Sequence, residues 1–193
     1  MLWVPAAVGL ATALLSGGAF TGLRRLPLLG LTIIILGFAV QLLSLRAAPT
    51  ASWLPYHAGL IGGGFLELTG FATLWRLPYG KAMFAGVALN LLAMVANGGA
   101  MTMTPENAQA AGFHTVTVSG ERRTTQGKSV IRPWDQTNLP WLTDFIHVRL
   151  PGYEKFFSIG DMILAVSAGA MLFSVIKSEV PVQAPTAEFS TTP

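Results

Sequence analysis

The amino-acid sequence predicts an all-α integral membrane protein: a compact bundle of five transmembrane helices with an extramembrane lid between the fourth and the fifth. Three observations predict it. Of 193 residues, 52% are hydrophobic and 11% charged, with a mean hydropathy of +0.55, a composition suited to lipid more than to water. The charges fall between apolar runs, which therefore lack the polar stripe of a soluble amphipathic helix. Five of those runs approach the roughly 17–25 residues that carry a helix across a bilayer.

In chain order, the apolar segments cover 2–20, 28–45, 56–75, 82–96 (a shorter one that can run on through Asn97) and 157–176. The first is read as a span and not as a cleaved leader, because it has no basic start and Arg24 and Arg25 follow it. Residues 98–156 are the one sizeable polar piece. They open on Thr104-Pro105-Glu106, an N-cap with a proline and an acid in the first turn, and Gly112 can end a short helix there. His114 to Val118 alternates as a strand does, and Ser119-Gly120 and Gln126-Gly127 supply turns, so a hairpin is expected. Trp134, Trp141, Phe145, Tyr153 and Phe156 recur among prolines, the pattern of a segment lying along a membrane interface. Residues 1–177 then form one transmembrane domain with its lid. Residues 178–193, rich in Thr, Pro and Ala, form a disordered tail.

Absent residues exclude whole classes of chemistry. Without cysteine there is no disulfide, thiolate zinc site, cysteine-ligated iron–sulfur cluster or thiol nucleophile. The net charge of +3 is spread through loops and makes no nucleic-acid patch. The basic residues act instead as topology signals. Arg24, Arg25, Arg76, Lys81 and Lys177 fall on one side of the spans, against Arg46 on the other; the six basic residues of the long 98–156 connection lie on that other side too but count little in a loop of about 60 residues, which places the N-terminus outside and the C-terminus in the cytoplasm.

Small-residue stripes mark the packing faces. Gly59, Gly63, Gly64 and Gly70 surround Glu67 on the third helix, and Gly86, Asn90, Ala93 and Asn97 line the fourth. Gly59, Gly63, Gly70 and Gly86 are the expected helix-packing positions. Glu67 stands near the middle of its segment, where a charge costs at least about 2.5 to 3.5 kcal/mol. Its expected partner is Asn90, at similar depth. The structural reading, a protonated acid tying two helices together, is favoured over a functional carboxyl for proton or cation coupling. At the outer ends, Gln41, His57, Asn97 and Asp161 gather under the lid. His57 and Asp161 lack a third ligand at helical spacing, so no metal site is expected; the simpler reading makes Asp161 a helix cap and His57 an interfacial residue.

No catalytic residue is assigned. Gly62-Gly63-Gly64 lacks the lysine and strand of a phosphate loop, and there is neither a Gly-x-Ser-x-Gly elbow nor a Ser-x-x-Lys pair. His114, His147, Asp135, Asp144 and Glu154 could assemble a hydrolytic site in the lid, and Arg122-Arg123 is read as a solvated turn. The cofactor stays undefined.

Asn97-Gly98-Gly99-Ala100-Met101, then Thr104-Pro105-Glu106-Asn107-Ala108, and later Phe157-Ser158-Ile159-Gly160-Asp161 resemble a family of small bacterial multi-pass membrane proteins of unknown function. In that family the first motif continues through a basic residue and Met-Pro, where this chain has Ala100, Met101 and Thr102. The resemblance implies a bacterial inner-membrane protein and carries no mechanism. The function expected first is a structural or accessory subunit, partnered by lipid and by other membrane subunits or its own copies. The alternative is a small transporter or a lipid- or quinone-binding protein that uses the intramembrane carboxylate.

Overall fold

The computed structural model describes residues 3–15, 26–47, 53–118, 120–124, 128–150 and 153–177. The expected tail at 178–193, the Arg24-Arg25 pair and the Gln126-Gly127 turn lie outside the described residues. Five long helices are present: α1 (Trp3–Leu15), α2 (Leu28–Ala47), α3 (Trp53–Ala72), α4 (Gly80–Ala96) and α6 (Ile159–Lys177). A short α5 (Pro105–Ala110) and six strands fill the connection between α4 and α6: β1 (Met101–Met103), β2 (Thr115–Val118), β3 (Glu121–Thr124), β4 (Ser129–Ile131), β5 (Ile146–Leu150) and β6 (Tyr153–Phe157).

The all-α, five-span expectation is therefore corrected. The lid is a β structure, with one sheet in the order β1-β4-β3-β2 and a separate β5-β6 hairpin. Among the described residues two helices, α2 and α6, are long and apolar enough to cross a membrane, with mean hydropathies of 2.4 and 2.0. The reasons are local. At about 1.5 Å per residue the 17 residues of α4 reach about 25 Å, short of a hydrocarbon core of about 30 Å. In α3, His57 and Glu67 interrupt the apolar run. Between α4 and α6, β-branched residues alternating with polar ones favour strands.

Local signals in the lid act as expected. Thr104 caps α5, its hydroxyl accepting from the Asn107 amide at 3.2 Å. β2 and β3 pair antiparallel from Thr115↔Thr124 to Val118↔Glu121, around a turn in which Gly120 takes φ +79°. β1 lies parallel to β4 at one edge of the sheet, so the first residues after α4 join the lid sheet directly.

The helices pack through backbone contact. A Cβ built at Gly37 would sit 2.7 Å from the Gly63 carbonyl, and one at Gly63 would sit 2.7 Å from the Gly37 carbonyl. Gly70 meets Gly30 in the same way, and Gly86 meets Gly160. Only glycine permits such approach, and it gives dispersion contacts that larger residues would prevent. The small face expected on α3 is thus the α2 interface, and Gly86 serves the α4–α6 interface. Ile34, Phe71, Leu74, Met83, Val87, Leu164, Met171 and Val175 form the main apolar core. Tyr56, Leu60, Ala100 and Val130 form a second core, where the lid sheet meets α3.

Candidate functional site

Where the lid meets the bundle, two polar groups are buried side by side. One is centred on α4 and the start of α6. Asn90 donates through Nδ2 to Asp161 Oδ1 at 2.7 Å, and its Oδ1 accepts from Ser158 Oγ at 2.6 Å. Ser158 Oγ also accepts from the Asp161 amide at 3.0 Å, which caps α6. A Cβ at Gly160 would press on Asn90 Cγ at 2.7 Å, so the backbone itself holds that amide in place.

The lid adds two charged groups to this cluster. Asp144 is buried and accepts from Ser129 Oγ at 2.8 Å. Half-buried Lys128 precedes Ser129 at the start of β4. Burial alone would lower its pKa, but the carboxylates of Asp161, Asp144 and Glu67 outweigh that and hold the ammonium above the ordinary lysine value. Burial pushes the Asp144 carboxyl up to about 7, reinforced by Asp161 and opposed by Lys128 and the Ser129 hydroxyl. Glu67 is 8% exposed, and its Oε1 has no hydrogen-bond partner among the described residues.

The expected Glu67–Asn90 hydrogen bond is not formed. Both hydrogen-bonding ends of the Asn90 amide are taken by residues at the α6 start. Ser158 is the N-cap of α6, and Asp161, three residues on, reaches back to the Ser158 amide at 3.5 Å; Asp161 also belongs to this inner cluster through Asn90.

The raised Asp144 value has a pH consequence. Its pKa lies above the unfolded value of 3.8, so the folded state binds this proton more tightly than the unfolded chain does. The stability it contributes is fully present below about pH 4 and is lost as pH rises towards about 7. Thermal unfolding of purified protein between pH 4 and 7 should show lid stability falling with pH in wild type and a flatter profile in Asp144→Asn. Equal slopes would refute the assignment.

The second group joins α3 to β3. His57 Nε2 lies 2.7 Å from Glu121 Oε2, and Arg123 Nε donates to the same oxygen at 3.0 Å. The Arg123 guanidinium stands 4.2 Å over the Tyr56 ring, a cation–π contact. Arg123 is 0% exposed, which corrects its reading as part of a solvated turn. Gly99, at φ +113°, brings the post-α4 chain against the other side of His57.

Asn97 is pinned to the lid: its Nδ2 donates to the Asn138 carbonyl at 2.7 Å, and its Oδ1 accepts from the Asn138 amide at 2.8 Å. Gln41 is buried on α2, its chain lying over Gly63. The four residues expected to share one outer site therefore serve four different contacts. The hydrolytic grouping in the lid does not assemble either. His147 pairs with Glu154 at 2.7 Å on the exposed β5-β6 hairpin, while Asp144 is buried with Ser129. Among the described residues no three of His, Asp and Glu converge as metal ligands.

Lys128, Ser129, Glu121 and Arg123 are not picked out by the sequence pattern, and Asp144 is picked out only for a hydrolytic grouping that does not form. For two of them a signal exists in the chain. Glu121 and Arg123 are two apart on a strand and so share a face, whereas Arg122 points the other way. Lys128 and Asp144 are brought to Asp161 only by the lid fold.

No curated protein and no solved structure matches the chain. A family model covers 23–175, a stretch that includes α2, α3, α4, the whole lid and nearly all of α6. Both polar groups lie within it, and the chain belongs to that family, a family of unknown function designated DUF5317.

Proposed function

We propose that this protein is a multi-pass membrane protein of the small-transporter class, which takes up protons at the cluster of Glu67, Lys128, Asp144 and Asp161. The observation that carries the reading is a charge imbalance. Buried Glu67 and Asp144 and half-buried Asp161 all couple electrostatically to one ammonium, that of Lys128, so full ionisation leaves two surplus negative charges, and Glu67 Oε1 has no donor among the described residues. A low-dielectric site does not sustain that surplus, and protons relieve it. Buried ionisable groups without a stabilising need for them are a mark of function. Glu67 and Asp144 are the proton carriers in this reading, Lys128 the fixed counter-charge, and Asn90 the residue that orients Asp161.

In this arrangement α2 and α6 cross a bacterial inner membrane, with α3 and α4 packed beside them. The lid lies outside and Lys177 faces the cytoplasm, in keeping with the basic residues Arg76 and Lys81 at the end of the bundle opposite the lid. Exposed Leu29, Ile35, Leu36, Phe38, Leu42 and Leu43 on α2 also suit a neighbouring subunit, and this favours the accessory-subunit role as the second reading.

Proteoliposomes loaded with a pH-sensitive dye distinguish the two. Wild type should equilibrate an imposed pH gradient, and Glu67→Gln and Asp144→Asn should each lose at least about tenfold in rate, the scale of effect for removing a proton carrier. No flux in wild type, together with stoichiometric foreign subunits in a mild-detergent extract, would establish the accessory role in its place.

A further inference from the structure

Among the described residues of the lid, the exposed large hydrophobic side chains are Trp134, Leu139 and Trp141, all within eight consecutive positions. Trp141 is 64% exposed. The patch is built and not incidental. Trp134 and Trp141 pack edge-to-face with centroids 5.0 Å apart, and Phe145 meets both at 6.1 Å. Leu139 takes φ +49°, a conformation that side-chain-bearing residues rarely adopt. It is held there from both sides. Asn138 is clamped to the end of α4 by the two Asn97 contacts and by its own Nδ2 donating to the Ala96 carbonyl at 2.8 Å. Leu142 is packed into the core beside Leu91, Ala93 and Met94.

The same clamp fixes where the patch lies. The Pro140–Leu142 turn packs against both α4 and α6. Leu92 and Val95 on α4, and Met162 and Val166 on the first turns of α6, are exposed apolar residues of those helix ends. An apolar surface therefore continues from a membrane-length helix onto the lid and ends in two indoles. Indole suits that place, because its ring is apolar while its N–H bonds to headgroup and water.

We infer that the 134–145 segment is an interfacial anchor that beds Trp134, Leu139 and Trp141 into the headgroup layer of the bilayer and so holds the lid at the membrane surface. The inference rests on α6 crossing the bilayer, as proposed above, and is independent of proton uptake.

The test uses full-length protein in phosphatidylcholine vesicles whose acyl chains carry bromine near the headgroup or near the methyl end. A variant keeping Trp141 alone, with Trp3, Trp53, Trp75 and Trp134 replaced by Phe, should lose about half its emission to the shallow bromines and less to the deep ones. Val166→Trp in a tryptophan-free background reports on α6 itself and should be quenched by lipid bromine. If Val166→Trp is quenched while Trp141 is reached by aqueous iodide and not by bromine, the lid stands in water and the anchor is overturned. Protection of Trp141 from both quenchers overturns it as well, in favour of a protein partner or a second copy. An unquenched Val166→Trp defeats the membrane reading itself. Should the multiple variant not fold, a spin label on Leu139→Cys, the single cysteine of the chain, reads the same depth from its relative accessibility to oxygen and to a water-soluble nickel complex; higher nickel accessibility overturns the anchor.

Discussion

Gly160→Val is expected to separate α4 from α6 and to disable the polar cluster at the same time. A Cβ at this position would stand 2.5 Å from the Gly86 carbonyl oxygen and 2.7 Å from Asn90 Cγ. The first is backbone and cannot rotate away. The second is the amide that holds Asp161 and Ser158, so relief by moving Asn90 breaks both hydrogen bonds. Overpacking of this kind costs about 1–3 kcal/mol, and more where backbones must part. The expected result is a clear drop in thermal midpoint in detergent, with faster hydrogen exchange at the start of α6. Gly62→Val is the control, since a Cβ there meets nothing within 4 Å. Equal stability of the two variants would show that close α4–α6 contact is not what holds the bundle together.

Arg123→Ala should release the lid sheet from α3. The guanidinium is fully buried between the Glu121 carboxylate and the Tyr56 ring, and Val130, which pairs with it across the sheet, belongs to the core shared with Tyr56 and Leu60. Removing one partner of a buried ion pair costs about 3–5 kcal/mol, because the charge left behind is neither solvated nor paired. Here His57 still faces Glu121 at 2.7 Å, so the loss should fall towards the lower end of that range. Limited proteolysis would report this as early cleavage within 120–131. Arg122→Ala, on the exposed side of the same strand, should leave the pattern unchanged. If the two variants are cut alike, the pair does not fasten the lid.

The local structure of this chain was legible wherever neighbouring residues decide it. Thr104-Pro105-Glu106 announces α5, the turn at Ser119-Gly120 announces the β2-β3 hairpin, and the five apolar runs announce five long helices. The runs overstated how many helices are both long and apolar enough to cross a membrane: α4, at 17 residues, falls short in length, and α3, at 20 residues long enough, is interrupted at His57 and Glu67. A glycine stripe has few other uses in an apolar helix than close packing, but the stripe around Glu67 does not name its partner: Gly59, Gly63 and Gly70 meet α2, whereas Gly86 on α4 meets α6.

By itself, then, the sequence determined the apolar character of the protein, the positions of its helices and the first hairpin, and the cost attached to Glu67. Only the tertiary structure decided what surrounds those positions. Asn90 lies near the depth of Glu67, yet its amide is taken by Ser158 and Asp161, some 70 residues away. Lys128, which reads as a loop charge, and Asp144, which reads as one member of a hydrolytic grouping, are carried towards Asp161 by β4 and the turn after Leu142. The physical reason is that helix and turn preferences act over a few residues, whereas the energy of a buried charge depends on every group near it in space, and those neighbours are chosen by the fold.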